Sequence, residues 1–83
     1  MQITFKLYAS LTQYLPAEAR TSNRVALELP PGTTVGRVIE PYGMPHNLVH
    51  LVLVNGVYVQ PEERLTRVLV DGEQILVGLA APT

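Results

Sequence analysis

His46 and His50 stand four residues apart, the spacing that sets two imidazoles on one helical face to hold a metal. Pro45 and the apolar run beginning at Leu51 argue for loop and strand there instead. The chain has no cysteine and no other histidine, so any further ligand has to be a carboxylate. Polar loop residues beside a strand are the simpler reading. Glu62-Glu63 has the composition of an acid–base pair, but paired catalytic carboxylates need burial or a shaped cleft to separate their pKa values. A Pro-Glu-Glu-Arg turn on a small domain reads as solvated surface. Gly32 and Gly36 do not form a phosphate cradle, because no lysine follows at the required spacing. With no nucleophile, metal set or acid–base pair in view, the residues predict a protein that is not an enzyme and that takes no cofactor.

The bulk properties narrow the classes further. Eighty-three residues support a single domain spanning 1–83, with a modest core. A composition 47% hydrophobic and 16% charged predicts a folded chain. Six basic against seven acidic residues leave a net charge of −1 and no basic stripe, so no nucleic-acid partner is expected. The longest apolar run, Leu51 to Val54, is far too short to span a bilayer, and Met1-Gln2-Ile3-Thr4 lacks the layout of a signal peptide. The expectation is a cytoplasmic protein with no membrane partner, stabilised by packing alone or by packing against another protein.

The elements that must position any functional surface are legible from periodicity. Ile3, Phe5 and Leu7 alternate with Gln2, Thr4 and Lys6, the pattern of a half-buried strand. Ser10 is placed to cap a short helical turn carrying Leu11, Tyr14 and Leu15, ended by Pro16. Residues Ala17 to Asn23 are polar and predict a mobile loop. Arg24 to Leu29 is a second strand with Val25, Leu27 and Leu29 inward, stopped by Pro30-Pro31-Gly32. Thr33 or Thr34 caps the main helix, whose stripe is Val35, Val38, Ile39 and Tyr42. Pro41 costs roughly 3 kcal/mol in a helix interior, so the regular helix should end near Glu40 with Tyr42 on a looser turn.

Asn55-Gly56 between Leu51-Val52-Leu53-Val54 and Val57-Tyr58-Val59 predicts a type I′ hairpin. Its register pairs Val54 with Val57 and Val52 with Val59 on one face, and Leu53 with Tyr58 and Leu51 with Gln60 on the other. A turn from Pro61 carries Leu65, Val68 and Leu69, and Asp71-Gly72 leads into a last strand, Gln74 to Val77. Hairpin, helix, hairpin, turn and final strand make an α+β protein. The class is a ubiquitin-like β-grasp: a mixed sheet of four to five strands with one main helix across one face.

Several segments resemble the molybdopterin-synthase small subunit and thiamine sulfur carriers (the MoaD/ThiS family). They are Ile3-Thr4-Phe5-Lys6-Leu7-Tyr8-Ala9, Leu29-Pro30-Pro31-Gly32-Thr33-Thr34-Val35, Tyr42-Gly43-Met44-Pro45, Val52-Leu53-Val54-Asn55-Gly56 and Leu69-Val70-Asp71-Gly72-Glu73. The resemblance implies a carrier that presents a terminal Gly-Gly carboxylate to an adenylating activating enzyme and to a synthase large subunit. Glycine suits such a tail because it threads narrow tunnels. Here the tail reads Leu79-Ala80-Ala81-Pro82-Thr83, with Thr83 near where the first glycine would stand. Ala81, Pro82 and Thr83 therefore occupy the carrier position without its residues.

The second hairpin offers a different function. Its valine face suits a sheet packed under the helix, whereas Leu51, Leu53 and Tyr58 are too apolar for a free solvent face. Leu76 and Leu79 extend that patch, which reads as a protein-docking surface centred on Tyr58, unless the loop Ala17 to Asn23 folds over it. The sequence thus predicts a docking module or degenerate carrier with no thiocarboxylate of its own. The competing expectation is a working sulfur carrier for molybdopterin or thiamine biosynthesis with an atypical tail.

Overall fold

The computed structural model describes residues 1–45, 49 and 51–78. Strands β1 (Gln2–Leu7), β2 (Arg24–Glu28), β3 (Leu51–Val54), β4 (Val57–Tyr58) and β5 (Gln74–Gly78) form one sheet in the order β2-β1-β5-β3-β4. β1 lies antiparallel to β2 and parallel to β5; β3 lies antiparallel to both β4 and β5. Helix α1 (Val35–Ile39) follows β2 and supplies the residues that cover one sheet face. This is the mixed five-stranded β-grasp expected from the order of elements.

The core is built from alternation. Ile3, Phe5, Leu7, Val52, Val54, Ile75 and Val77 point to the covered face and are buried with Val35, Val38 and Ile39 of α1. Among the described residues no polar or charged residue is buried, so polar recognition has to be sought on the surface. Phe5 is wholly buried and stacks on Tyr42, with ring centroids 4.6 Å apart and planes inclined by 23°. Burial against this core raises the pKa of the Tyr42 phenol.

The helix ends as Pro41 requires. Regular geometry stops at Ile39, a 3₁₀ turn spans Glu40–Tyr42, and Gly43 closes it in the left-handed region at φ 69°. At the other end the orphan donors of α1 are accounted for. Val35 N–H donates to the Arg67 carbonyl at 3.1 Å, Gly36 N–H to that of Arg64 at 2.8 Å, and Arg37 N–H to the Thr34 hydroxyl at 3.4 Å. Of the two candidate caps, Thr34 is the one used.

This docking of residues 64–67 onto the helix depends on Gly36. A Cβ there would stand 2.8 Å from Leu65 Cδ2 and 3.2 Å from the Arg64 carbonyl oxygen. Gly36→Val is therefore expected to push that segment off α1 and to cost about 2 kcal/mol, read from urea unfolding.

Four local expectations are corrected. Ser10 does not cap: the 3₁₀ turn runs Ala9–Tyr14 with Tyr8 at its N-cap, so the turn starts two residues early, with Ala9 at φ 56°. The segment Ala17 to Asn23 is tied down: Ala17–Ala19 form a 3₁₀ turn, and Ala19 is buried in the core. Arg20 holds the same segment by donating to the Leu15 and Gln13 carbonyls at 3.1 and 3.2 Å. Val57 is 68% exposed despite pairing with buried Val54, because it lies beside the turn on the sheet's edge strand. The Leu51–Gln60 pair does not form: after Val59 N–H donates to the Val52 carbonyl, the chain turns at Pro61, and Leu51 keeps only its pairing with Gly78 on the β5 side.

Candidate docking face

The uncovered sheet face carries a single cross-strand row. Arg24 pairs with Lys6, Lys6 with Leu76, Leu76 with Leu53, and Leu53 with Tyr58, so one line of side chains crosses all five strands. Side chains alternate across a strand, so this row points away from Phe5, Val52 and Val77. Leu53 and Leu76 are half-buried, and Tyr58 is 47% exposed. Beside it Leu51 pairs with Gly78, and a Cβ at Gly78 would lie 4.0 Å from Cδ2 of both Leu51 and Leu76. The glycine thus leaves a flat place between two leucines. Lys6, Leu53, Leu76 and Gln74 line a shallow depression of about 240 Å³.

The hairpin that presents Leu53 and Tyr58 follows from Asn55-Gly56, which take φ 50° and 83° as a type I′ turn requires. Asn55 also locks the hairpin to the last strand: its N–H donates to the Gln74 carbonyl, and its side-chain oxygen accepts from Gln74 N–H, both at 2.9 Å.

Leu76 is positioned by the turn that precedes β5. Glu73 accepts from Arg67 Nη2 at 2.7 Å and from Val70 N–H at 2.6 Å, while its own carbonyl accepts from Thr4 N–H at 3.1 Å. The hydrogen bond from Arg67 is the main cause of a lowered Glu73 pKa, supported by the Val70 bond and opposed by partial burial. A depressed folded-state value means that this contribution is fully present above the ordinary glutamate pKa and is lost as pH falls through the depressed one. The urea midpoint should accordingly drop below about pH 4. Glu73→Gln should flatten that acid limb and cost about 1 kcal/mol at neutral pH.

The structure thus brings Leu51, Leu53, Tyr58 and Leu76 together on one face. Leu79 and the tail residues Ala81, Pro82 and Thr83 lie outside the described residues, as do His46 and His50. The loop Ala17 to Asn23 does not cover the patch, since Ala19 packs into the core on the opposite side of the sheet. Glu63 serves the backbone: its carboxylate accepts from Gln60 N–H at 3.3 Å and holds the turn Pro61–Glu63. Sequence reasoning set Lys6 and Arg24 on the outward face without joining them to the patch. The link is the parallel β1–β5 pairing, which has no local signal. Tyr8, 42% exposed after β1, is a further aromatic that periodicity did not single out.

Among the described residues no helix is long and apolar enough to cross a membrane. No curated protein matches the sequence significantly. Solved structures do match the fold. The small archaeal modifier protein SAMP1 from Haloferax volcanii is 18% identical with a TM-score of 0.66, over 100% of this chain and 99% of that one. A putative molybdopterin converting factor, subunit 1, from Pyrococcus furiosus is 21% identical with a TM-score of 0.68, over 98% of this chain and 99% of that one. The likeness to ubiquitin-like, MoaD-like proteins read from the sequence motifs holds at the level of fold. The model of the Mut7-C ubiquitin family matches residues 1–78, and the chain belongs to that family.

Proposed function

We propose that residues 1–83 form one ubiquitin-like domain that works by docking onto a protein partner through its uncovered sheet face. The observation that carries this is the row Arg24–Lys6–Leu76–Leu53–Tyr58, apolar at one end and cationic at the other. An apolar patch rimmed by charge is the usual make-up of an interaction site. Tyrosine at its edge supplies a large contact area with a polar tip. The fitting partner surface is an apolar projection flanked by carboxylates that meet Lys6 and Arg24. The role is binding, not catalysis.

The 83 residues contain no Gly-Gly, so they supply the docking surface without the pair that the MoaD/ThiS carriers use to present a thiocarboxylate. The partner class is the one that resemblance implies: an adenylating activating enzyme or a synthase large subunit. The test is calorimetric titration of the activating enzyme from the same organism with the wild-type protein and with the Leu53→Asp variant, followed by an ATP-dependent acyl-adenylate assay. Binding that Leu53→Asp destroys, without adenylate formation, supports the docking reading. Adenylation at the native C-terminus overturns it in favour of a working sulfur carrier. Appending Gly-Gly after Thr83 should add adenylation to a surface that already binds.

A further inference from the structure

The sheet ends at β2, and the outer edge of that strand is open. Leu7 N–H donates to the Asn23 carbonyl and Leu29 N–H to that of Met1, so the odd-numbered residues of β2 turn their backbone groups to β1. Thr4 N–H donates instead toward β5, to the Glu73 carbonyl, as the same alternation requires of the even residues of β1. The N–H and C=O groups of Arg24, Ala26 and Glu28 therefore point off the edge. β2 pairs with β1 alone, and all three residues are exposed. The Arg24 carbonyl accepts from the Ser22 hydroxyl at 3.4 Å, and a carbonyl oxygen has a second lone pair.

Open edges are usually blunted by shortness, proline or like charge. At the other edge β4 is two residues long, and Pro61 follows soon after. β2 has five residues, and Pro30 and Pro31 come only after its end. Its outward side chains are a cation, a methyl group and an anion, spaced evenly about Ala26. Turned antiparallel to a second copy, that series is its own complement.

Outward residues bond only to outward residues, so the register of such a pairing moves in steps of two. With Ala26 opposite Ala26 of the second copy, Arg24 faces Glu28 at both ends and each facing pair exchanges two hydrogen bonds. One step in one direction sets Arg24 against Pro30, which has no N–H. One step in the other sets Arg24 against Ala26 and Glu28 against Ser22, so no opposite charges meet. Arg24 also stands opposite Lys6, and neither ion pair of the described residues, Met1 with Glu28 or Arg67 with Glu73, includes it. A carboxylate arriving across the edge relieves that like-charged pair. The Glu28 side chain is 68% exposed, and its carboxylate has lone pairs beyond those taken by Met1 and Gln2.

We propose that β2 is a self-association edge, at which two copies of this chain pair antiparallel about Ala26. Arg24 of each copy meets Glu28 of the other, and half-buried Val25 meets Leu27 on the covered side. The two-fold axis runs perpendicular to the sheet, so both uncovered faces lie on one side of a continuous sheet. The dimer does not rest on the docking reading, and it presents that face twice. A contact of one strand per copy is small against a standard interface, so the association is weak and concentration-dependent.

The test is sedimentation equilibrium of the whole chain from about 10 µM to about 1 mM, a range suited to a weak interface. Arg24→Glu and Glu28→Arg, each alone, should raise the dimer dissociation constant about tenfold or more, because each sets like charges at both ends of the pairing. An equimolar mixture of the two variants should recover wild-type dimerisation, since one strand then carries two carboxylates and the other two guanidiniums. Ala26→Pro removes an outward N–H without touching the β1 ladder and should leave a monomer. In the wild type, amide exchange at Arg24, Ala26 and Glu28 should slow as concentration rises, while Val25 and Leu27, already bonded to β1, stay unchanged. A wild-type monomer at the highest concentration would overturn the proposal. So would a dimer that ignores both charge reversals, which would place the contact on another surface. Failure of the mixture to associate better than either variant alone would rule out this register.

Discussion

Leu53→Asp is expected to weaken partner binding by about a hundredfold, close to 3 kcal/mol, while leaving the fold intact. Leu53 is the middle of the cross-strand row, flanked by Leu76 on β5 and Tyr58 on β4. A carboxylate there has to be desolvated when an apolar partner closes over it, and it also faces the partner carboxylates recruited by Lys6 and Arg24. In the free protein the same side chain is only half-buried on the uncovered face, so an aspartate stays hydrated. Its cost to stability is that of a poor strand residue, about 1 kcal/mol. Calorimetry on the complex and urea unfolding of the free variant separate the two effects. Tyr58→Asp should behave similarly, with a smaller stability cost because β4 is an edge strand of two residues. If Leu53→Asp unfolds the free protein instead, the uncovered face is core and the docking assignment is wrong.

Phe5→Ala is expected to have the largest effect on stability, about 3–5 kcal/mol. Phe5 is wholly buried on the interior strand β1, pairs in register with Val25 and Ile75, and stacks on Tyr42 beyond the end of α1. The truncation leaves a cavity where strand, helix end and 3₁₀ turn meet, and it removes the partner of the Tyr42 ring. A domain of this size holds roughly 4–12 kcal/mol in total, so the variant should be largely unfolded or close to it at 37 °C. A urea midpoint reduced without a change in slope is the expected reading. A loss below about 1 kcal/mol would mean that the Phe5–Tyr42 stack is not the centre of the core.

Both predictions rest on the same alternation along β1, β3 and β5, and this part of the protein is written locally. Ile3, Phe5 and Leu7 are inward and Lys6 outward because a strand has period two, whatever it pairs with. Asn55-Gly56 forces the hairpin because both residues accept positive φ, and Pro41 stops α1 because it has no N–H and its ring collides with the preceding turn. From these local rules the β-grasp, its core strands and the apolar character of Leu51, Leu53 and Tyr58 follow without any contact being known.

Where local rules failed, a distant contact had decided. Ala19 carries no periodicity, yet its segment is fixed because Ala19 is buried in the core cluster and Arg20 ties the segment to the Gln13 and Leu15 carbonyls. Val57 obeys the hairpin register and still faces solvent, since burial depends on what lies above a position as well as on which way it points. The cationic end of the docking row is the clearest case. Lys6 and Leu76 are seventy residues apart, and only the parallel pairing of β1 with β5 sets one beside the other. The segment at Arg64 and Leu65 likewise settles on α1 because Gly36 leaves room for it. The sequence by itself determined the elements, their inward faces and the presence of one surplus apolar surface, because those are properties of dihedral preference and period. Which charges border that surface was decided by tertiary structure, because pairing between remote segments depends on how the whole chain packs and leaves no mark within a local window.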